Sequence, residues 1–219
     1  MVQVKKKVVR DAIVHAAFEL FSERGYRRTK LADIAARAQV GVGNVYSYFP
    51  SKLHVLYEVY RPWLVAQIAA LERRLDDCET PHDKVRCILM GIWHDIPTQN
   101  LGLANSLMEA LATAEAGQGK VTDLLPWVER RTTAMLKTAI PAERLAVLDG
   151  DRLSNLWWMA YDGFVINRRI GDVRDIAGVV DVVCGLLLGT EPGANTGRTA
   201  RSGQHSGKQR RQSRRRLEP

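Results

Sequence analysis

The stretch Thr29–Lys52, TKLADIAARAQVGVGNVYSYFPSK, decides how this chain folds. It reads as two short helices across a tight turn, with a third helix beginning at once. Leu31, Ile34, Ala35 and Ala38 give the first helix an apolar stripe, and Thr29 is placed to cap it. Gln39-Val40-Gly41 makes the turn, and Val42 to Phe49 forms a second helix of about two turns. Pro50 stops that helix and Ser51 caps the next. A helix so short buries too little surface to exist for the core alone. Its outer face carries Gly43, Asn44, Tyr46, Ser47 and Tyr48, which are small, polar or phenolic, as a helix lying in a DNA major groove requires.

Upstream, Val9, Ile13, Ala16, Ala17, Leu20 and Phe21 recur at helical spacing and predict a supporting helix from about Val8 to Arg24. Gly25 stands where a left-handed C-terminal residue is wanted, and Tyr26 can fold back on Phe21. Lys5-Lys6-Lys7 reads as a basic arm that touches phosphates without reading sequence. At the recognition helix, Asn44 suits a bidentate bond to adenine and Gly43 admits close backbone approach. Ser47 lies one turn along the same face, and Thr29 and Lys30 complete the expected DNA-binding set.

Tyr46-Ser47-Tyr48-Phe49 followed by Ser51-Lys52 resembles the signature of the tetracycline-repressor (TetR) family of bacterial transcription regulators. The resemblance runs from about Arg10 to Tyr57, and beyond that it is one of helical layout. It implies phosphate contacts for Tyr46 and Tyr48 and a DNA-backbone contact for Lys52. The chain departs from the family pattern at three places: Gln39 replaces the usual turn glycine, Gly41 replaces a Ser or Thr cap, and Leu53-His54 replaces acidic residues.

Downstream, a fourth helix is expected from Ser51 to about Asp77, kinked or broken near Tyr60 by Pro62. Thr80-Pro81-His82-Asp83 opens a fifth helix running to about Asp95, and Pro97-Thr98 restarts the chain for a sixth that ends before Gly117. Three more are expected over Thr122–Ala139, Asp151–Ile170 and Asp172–Leu188. The last of these is apolar nearly all round with little chain left to cover it. A homodimer is therefore expected through Leu156, Tyr161, Phe164, Ile176, Val179, Val180, Val183 and Leu187, and the family resemblance implies a four-helix dimer bundle there. Trp63, Met90, Trp93, His94, Met108, Trp127, Trp157, Trp158 and Tyr161 are read as core or as the lining of a pocket for a small apolar or aromatic effector.

Composition sets limits on these readings. A hydrophobic content of 46% excludes wholesale disorder, and no apolar run reaches the roughly 18 residues of a membrane span. The net charge of +8 is uneven. Residues 1–60 carry ten Lys and Arg against five Asp and Glu, residues 191–219 carry eight against two, and the middle is mildly acidic. Cys78, Cys87 and Cys184 have no metal-ligand spacing and read as free thiols of a reducing cytoplasm, with a redox sensor as the alternative. No HExxH, phosphate loop or GxSxG supports catalysis, and neither cofactor nor metal is expected.

The expected architecture is all-α: a three-helix DNA-binding domain (1–60), a helical regulatory and dimerisation domain (61–190), and a disordered basic tail (191–219). The expected function is a dimeric, cytoplasmic, nucleoid-associated repressor of a palindromic double-stranded operator, released by a small molecule. The alternative is a ligand-independent architectural protein that coats DNA through head and tail.

Overall fold

In the computed structural model the described residues are 2–114, 123–148, 150–172 and 174–189. They form eleven α-helices and a π-helical turn, with no strand among them, so the all-α expectation holds. The order is α1 (Val2–Arg28), α2 (Leu31–Arg37), α3 (Val42–Tyr48), α4 (Lys52–Leu75), α5 (Pro81–Met90), the π-helical turn (Gly91–Asp95), α6 (Ile96–Gln99), α7 (Leu101–Thr113), α8 (Leu124–Ala139), α9 (Ala142–Leu148), α10 (Gly150–Arg169) and α11 (Ile176–Leu188). Lys5's side chain, the start assigned to Thr122 and the tail 191–219 lie outside the described residues.

The head forms as its apolar spacing requires. Ile13, Ala16, Ala17, Leu20 and Phe21 of α1 are buried with Ile34 and Ala35 of α2 and with Val45 and Phe49 at α3. Gln39 takes φ +58° in the turn, a left-handed value that costs a non-glycine residue about 1 kcal/mol. Ser51 caps α4, its Oγ accepting from the His54 N–H, as expected. Helix α1 already begins at Val2 rather than about Val8, so the basic arm is part of the helix.

At the end of α1 the chain breaks at Gly25 (φ +81°), and Tyr26 folds back to stack on Phe21 with ring centroids 5.9 Å apart. This break frees backbone groups that need partners. Thr29 is fully buried, with its hydroxyl in donor range of the Gly25 carbonyl (2.8 Å) and the Leu20 carbonyl (3.2 Å). The cap of α2 is therefore Lys30 rather than Thr29, and its backbone N–H donates to Asp33 Oδ2 at 3.0 Å. Lys52 Nζ donates to the carbonyls of Tyr26 (2.8 Å) and Thr29 (3.0 Å) and stands 4.1 Å from the Tyr26 ring centroid. A cation in the first turn of α4 is unfavourable to that helix but complements the carbonyl end of α1. The DNA phosphate invoked from sequence is thus not needed to explain Lys52. Burial lowers its pKa, opposed by the charge of Glu109.

A second clamp joins head and body. A Cβ on Gly102 of α7 would fall 1.9 Å from the Ser22 carbonyl oxygen, so α1 and α7 touch backbone to backbone. Along the same seam the Ser106 hydroxyl donates to the Phe21 carbonyl (2.8 Å), and Asn100 Nδ2 donates to Ser22 Oγ (2.8 Å). Glu109 Oε2 accepts from the Arg27 backbone N–H (2.8 Å), while its other oxygen pairs with Arg169. Burial alone would raise the Glu109 carboxyl, but these two donors outweigh it and hold the pKa below the usual glutamate value.

The body departs from the expected boundaries at four places. Pro62 lies within α4, which continues through it without interruption. At the π-helical turn the Ile96 N–H bonds to the Gly91 carbonyl five residues back, and Pro97, lacking an N–H, follows without ending the helix. The restart falls instead at Asn100, whose side chain accepts from the Leu103 N–H at 2.9 Å. Helix α9 has no counterpart in the sequence reading. Its Arg144 donates to the Leu186 (2.7 Å) and Leu187 (3.2 Å) carbonyls and so caps α11. That last helix starts at Ile176, four residues later than expected, after Asp175 caps the Gly178 N–H (3.0 Å).

Replacing Lys52 by Met keeps the apolar stem and removes two charge-assisted hydrogen bonds. It is expected to destabilise the protein by about 2 kcal/mol, read as a lower melting temperature by circular dichroism. An unchanged melt would mean that the ammonium contributes nothing to the head.

Candidate nucleic-acid interface and body cavity

Helix α3 divides sharply into two faces. Val45 and Phe49 are buried, and each contributes about 1.5–3 kcal/mol by burial, which fixes the helix's rotation. Gly43, Asn44, Tyr46 and Ser47 point outward, with Tyr46 58% exposed and open space where a Cβ on Gly43 would lie. Tyr48 is half-buried, its ring tilted against Phe49 at 6.3 Å. The Ser47 hydroxyl donates to the Gly43 carbonyl (2.9 Å), so it is already occupied within its own helix. Lys30 is exposed, whereas Thr29 and Lys52 bond carbonyls within the head. Val42, 41% exposed at the first position of α3, is an apolar member of the face that sequence reasoning passed over. Its spacing of four residues from Tyr46 was the available signal.

No charged residue lies on α3. Attraction to phosphates therefore has to come from cations elsewhere in the head, among them the exposed Arg27, Arg28 and Lys30, and Lys6 and Lys7 on α1. The outward face of α3 offers uncharged groups suited to base edges, and the charge lies on other elements.

The aromatic residues of the body do not converge on one pocket. Trp158 and Tyr161 line a cavity of about 150 Å³. Its walls come from four helices: Tyr57, Tyr60 and Leu64 of α4, Leu107 and Leu111 of α7, Leu124, Leu125 and Val128 of α8, and Asp162 beside Tyr161 on α10. The Tyr60 and Tyr161 hydroxyls bond each other at 2.8 Å, and burial raises both phenol pKa values. Met90 and His94 line a separate, open cleft of about 280 Å³ beside the α10–α11 connection. Trp63, Trp93, Met108, Trp127 and Trp157 line neither space. Trp63 packs on Tyr60 (5.2 Å), and Trp93 packs on Phe164 (5.3 Å) while its Nε1–H donates to the Trp157 carbonyl (3.0 Å). Trp93, Met108 and Trp157 are buried core, and Trp63 and Trp127 are partly buried against it.

The residues expected at a dimer contact also sort into two groups. Tyr161, Val180 and Leu187 face the core, and Phe164, Ile176 and Val183 are half-buried. Leu156 and Val179 face outward, where Met159, Ile166 and Ile170 of α10 and Val182 and Leu186 of α11 join them. The outward set recurs at steps of three, seven and four residues on α10 and of three and four on α11. Among the described residues there is no acidic or His/Cys cluster able to hold a metal, and no helix long and apolar enough to cross a membrane.

Residues 13–59 match the model of the bacterial regulatory proteins of the tetR family. The transcriptional repressor KstR of Rhodococcus jostii is 29% identical over 196 residues, covering 84% of each chain. The regulator RutR of Escherichia coli is 27% identical, covering 87% of this chain and 83% of its own. Among solved structures, the fatty acid degradation regulator FadR of Bacillus halodurans superposes with a TM-score of 0.63 at 21% identity, over 82% of this chain and 97% of that one. FadR of Bacillus subtilis, solved in complex with stearoyl-CoA, gives 0.61 at 18% identity, over 81% and 96%. The relatives are regulators rather than enzymes; residues 13–59 form a domain of the tetR family of bacterial regulatory proteins, and the chain is a DNA-binding transcriptional regulator.

Proposed function

We propose that this regulator is a homodimeric repressor that reads a palindromic operator with α3 of each copy and releases it when a small molecule fills the body cavity. The observation that carries the reading is the division of α3, with Val45 and Phe49 locked inside and an uncharged face of Gly43, Asn44, Tyr46 and Ser47 outside. Asn44 is assigned to a base edge, Tyr46 to a phosphate or a thymine methyl, and the half-buried Tyr48 to a phosphate. The reading head is taken as residues 1–60, ending within α4, with residues 61–190 as the regulatory part.

Dimerisation is supported by the exposed apolar stripes. Leu156, Met159, Ile166 and Ile170 follow coiled-coil spacing on α10, with Gly163 at the remaining step, and Val179, Val182 and Leu186 do so on α11. Met159 is 70% exposed and Leu186 68%, a large apolar area for a lone chain to leave in water. A second copy packed there as a four-helix bundle covers it and holds two recognition helices at the roughly 34 Å that successive major grooves demand.

Release is supported by the course of two helices. Helix α4 runs from Lys52, on the carbonyl end of α1, to Tyr57, Tyr60 and Leu64 at the cavity. Helix α7 carries Glu109 on the Arg27 N–H and Leu107 and Leu111 at the same cavity. A ligand that fits the cavity better in one arrangement of α4 and α7 shifts the head toward that arrangement, and only that difference in affinity does so.

The test is a gel shift on the DNA upstream of the protein's own gene, with random DNA as competitor. Asn44→Ala or Tyr46→Ala is expected to cost about 1–3 kcal/mol on the specific complex and leave the salt dependence unchanged. Lys6→Gln is expected to reduce the salt slope by about 1 without altering sequence preference. Equal losses on specific and random DNA for the α3 variants would refute the reading of α3. Separately, Met159→Glu combined with Leu186→Glu is expected to give a folded monomer in sedimentation equilibrium, with operator binding lost. A persisting dimer would place the interface elsewhere.

A further inference from the structure

Asp162 is the one side chain in the wall of the α4–α7–α8–α10 cavity that its apolar surroundings do not explain. Among the described residues lining that space it alone carries a charge, and none of them is a Lys, Arg or His. The carboxylate is half-buried and makes no hydrogen bond or ion pair with any described residue. The nearby Tyr60 and Tyr161 hydroxyls are turned to each other. A carboxylate in this position is costly unless something pairs with it, whereas Asp33, Glu109 and Asp175 each accept a hydrogen bond. Around it the wall is aromatic: Tyr57, Tyr60, Trp158 and Tyr161 present ring surface to the same space. Aromatic faces and a lone carboxylate around a small cavity are complementary to one ligand chemistry, a compact organic cation.

Resting on the reading of this cavity as the effector site, we propose that it takes a small lipophilic cation, an amine or quaternary ammonium on an aromatic or branched apolar body, with Asp162 as its counter-charge. A cavity of this size holds a body no larger than about one benzene ring with short substituents. An anionic ligand meets a like charge there and no basic group among the described lining residues. The site thus differs in sign from what a carboxylate- or phosphate-bearing ligand needs. Burial lifts the Asp162 carboxyl to about 6, which still leaves it ionised and available to a cation at neutral pH.

The experiment titrates the full-length protein with phenyltrimethylammonium, with its uncharged isostere tert-butylbenzene, and with benzoate, following Trp158 fluorescence and thermal stabilisation. The wild type is expected to bind the cation saturably and benzoate not at all. In Asp162→Asn the cation is expected to weaken about tenfold while tert-butylbenzene binds as before, which shows that the cavity is intact. An Asp162→Asn variant that binds the cation as well as the wild type, or a wild type that binds benzoate as tightly as the cation, overturns the proposal, as does the absence of saturable binding by any probe. The operator gel shift separates the two readings. Asp162-dependent cation binding that leaves the DNA complex intact upholds the site and removes its role as effector site. Release by tert-butylbenzene and cation alike, insensitive to Asp162→Asn, upholds the effector reading and removes the charge selection.

Discussion

The break in α1 at Gly25 is the constraint on which the molecule turns. A helix that ends inside a protein leaves carbonyl and N–H groups that must find partners, and here the partners come from three directions. Thr29, on the way into α2, satisfies the Gly25 carbonyl; Lys52, at the start of α4, takes the Tyr26 and Thr29 carbonyls; Glu109, from α7, takes the Arg27 N–H. The five residues from Gly25 to Thr29 are thus held by the head itself and by two long helices of the body. Since α2 and α3 follow directly, whatever sets this joint sets the direction of the recognition helix.

The same two helices border the cavity, which supports the proposed coupling between cavity and head. Tyr57 and Tyr60 lie only two turns along α4 from Lys52, and Leu107 and Leu111 flank Glu109 on α7. A change at the cavity wall therefore has a short, packed route to the joint, without any requirement that the whole body move. The backbone contact at Gly102 and Ser22 makes the α1–α7 seam stiff, so displacement of α7 carries α1 with it instead of being absorbed by side chains.

Much of this was legible in the residues, and the failures have physical causes. The helical spacing of Ile13 through Phe21, the stop at Pro50 and the caps at Ser51 and Thr80 depend on local chemistry, and they appear where read. Gln39 took the left-handed conformation the turn demands despite its side chain. Thr29 was misread as the cap of α2, and the carbonyl partners of Lys52 went unread, because the Leu20, Gly25 and Tyr26 carbonyls come within reach only in the tertiary fold. Pro62 and Pro97 did not end helices: α4 carries one, and a π-helical turn precedes the other. Composition alone could not separate core tryptophans from lining ones, nor the inward Val180 and Leu187 from the outward Val182 and Leu186. The rotation of each helix is set by its neighbours. Glu109 and Asp162 gave no signal as single acidic residues among many; their meaning lies in what does and does not stand beside them.

The central claim, that the joint at the end of α1 controls the reading head, is tested most directly by hydrogen exchange in Glu109→Ala. The account predicts faster exchange of the Arg27 amide and its neighbours through Leu31, weaker operator binding, and unchanged helix content. Exchange in that segment and operator affinity both equal to the wild type would contradict it.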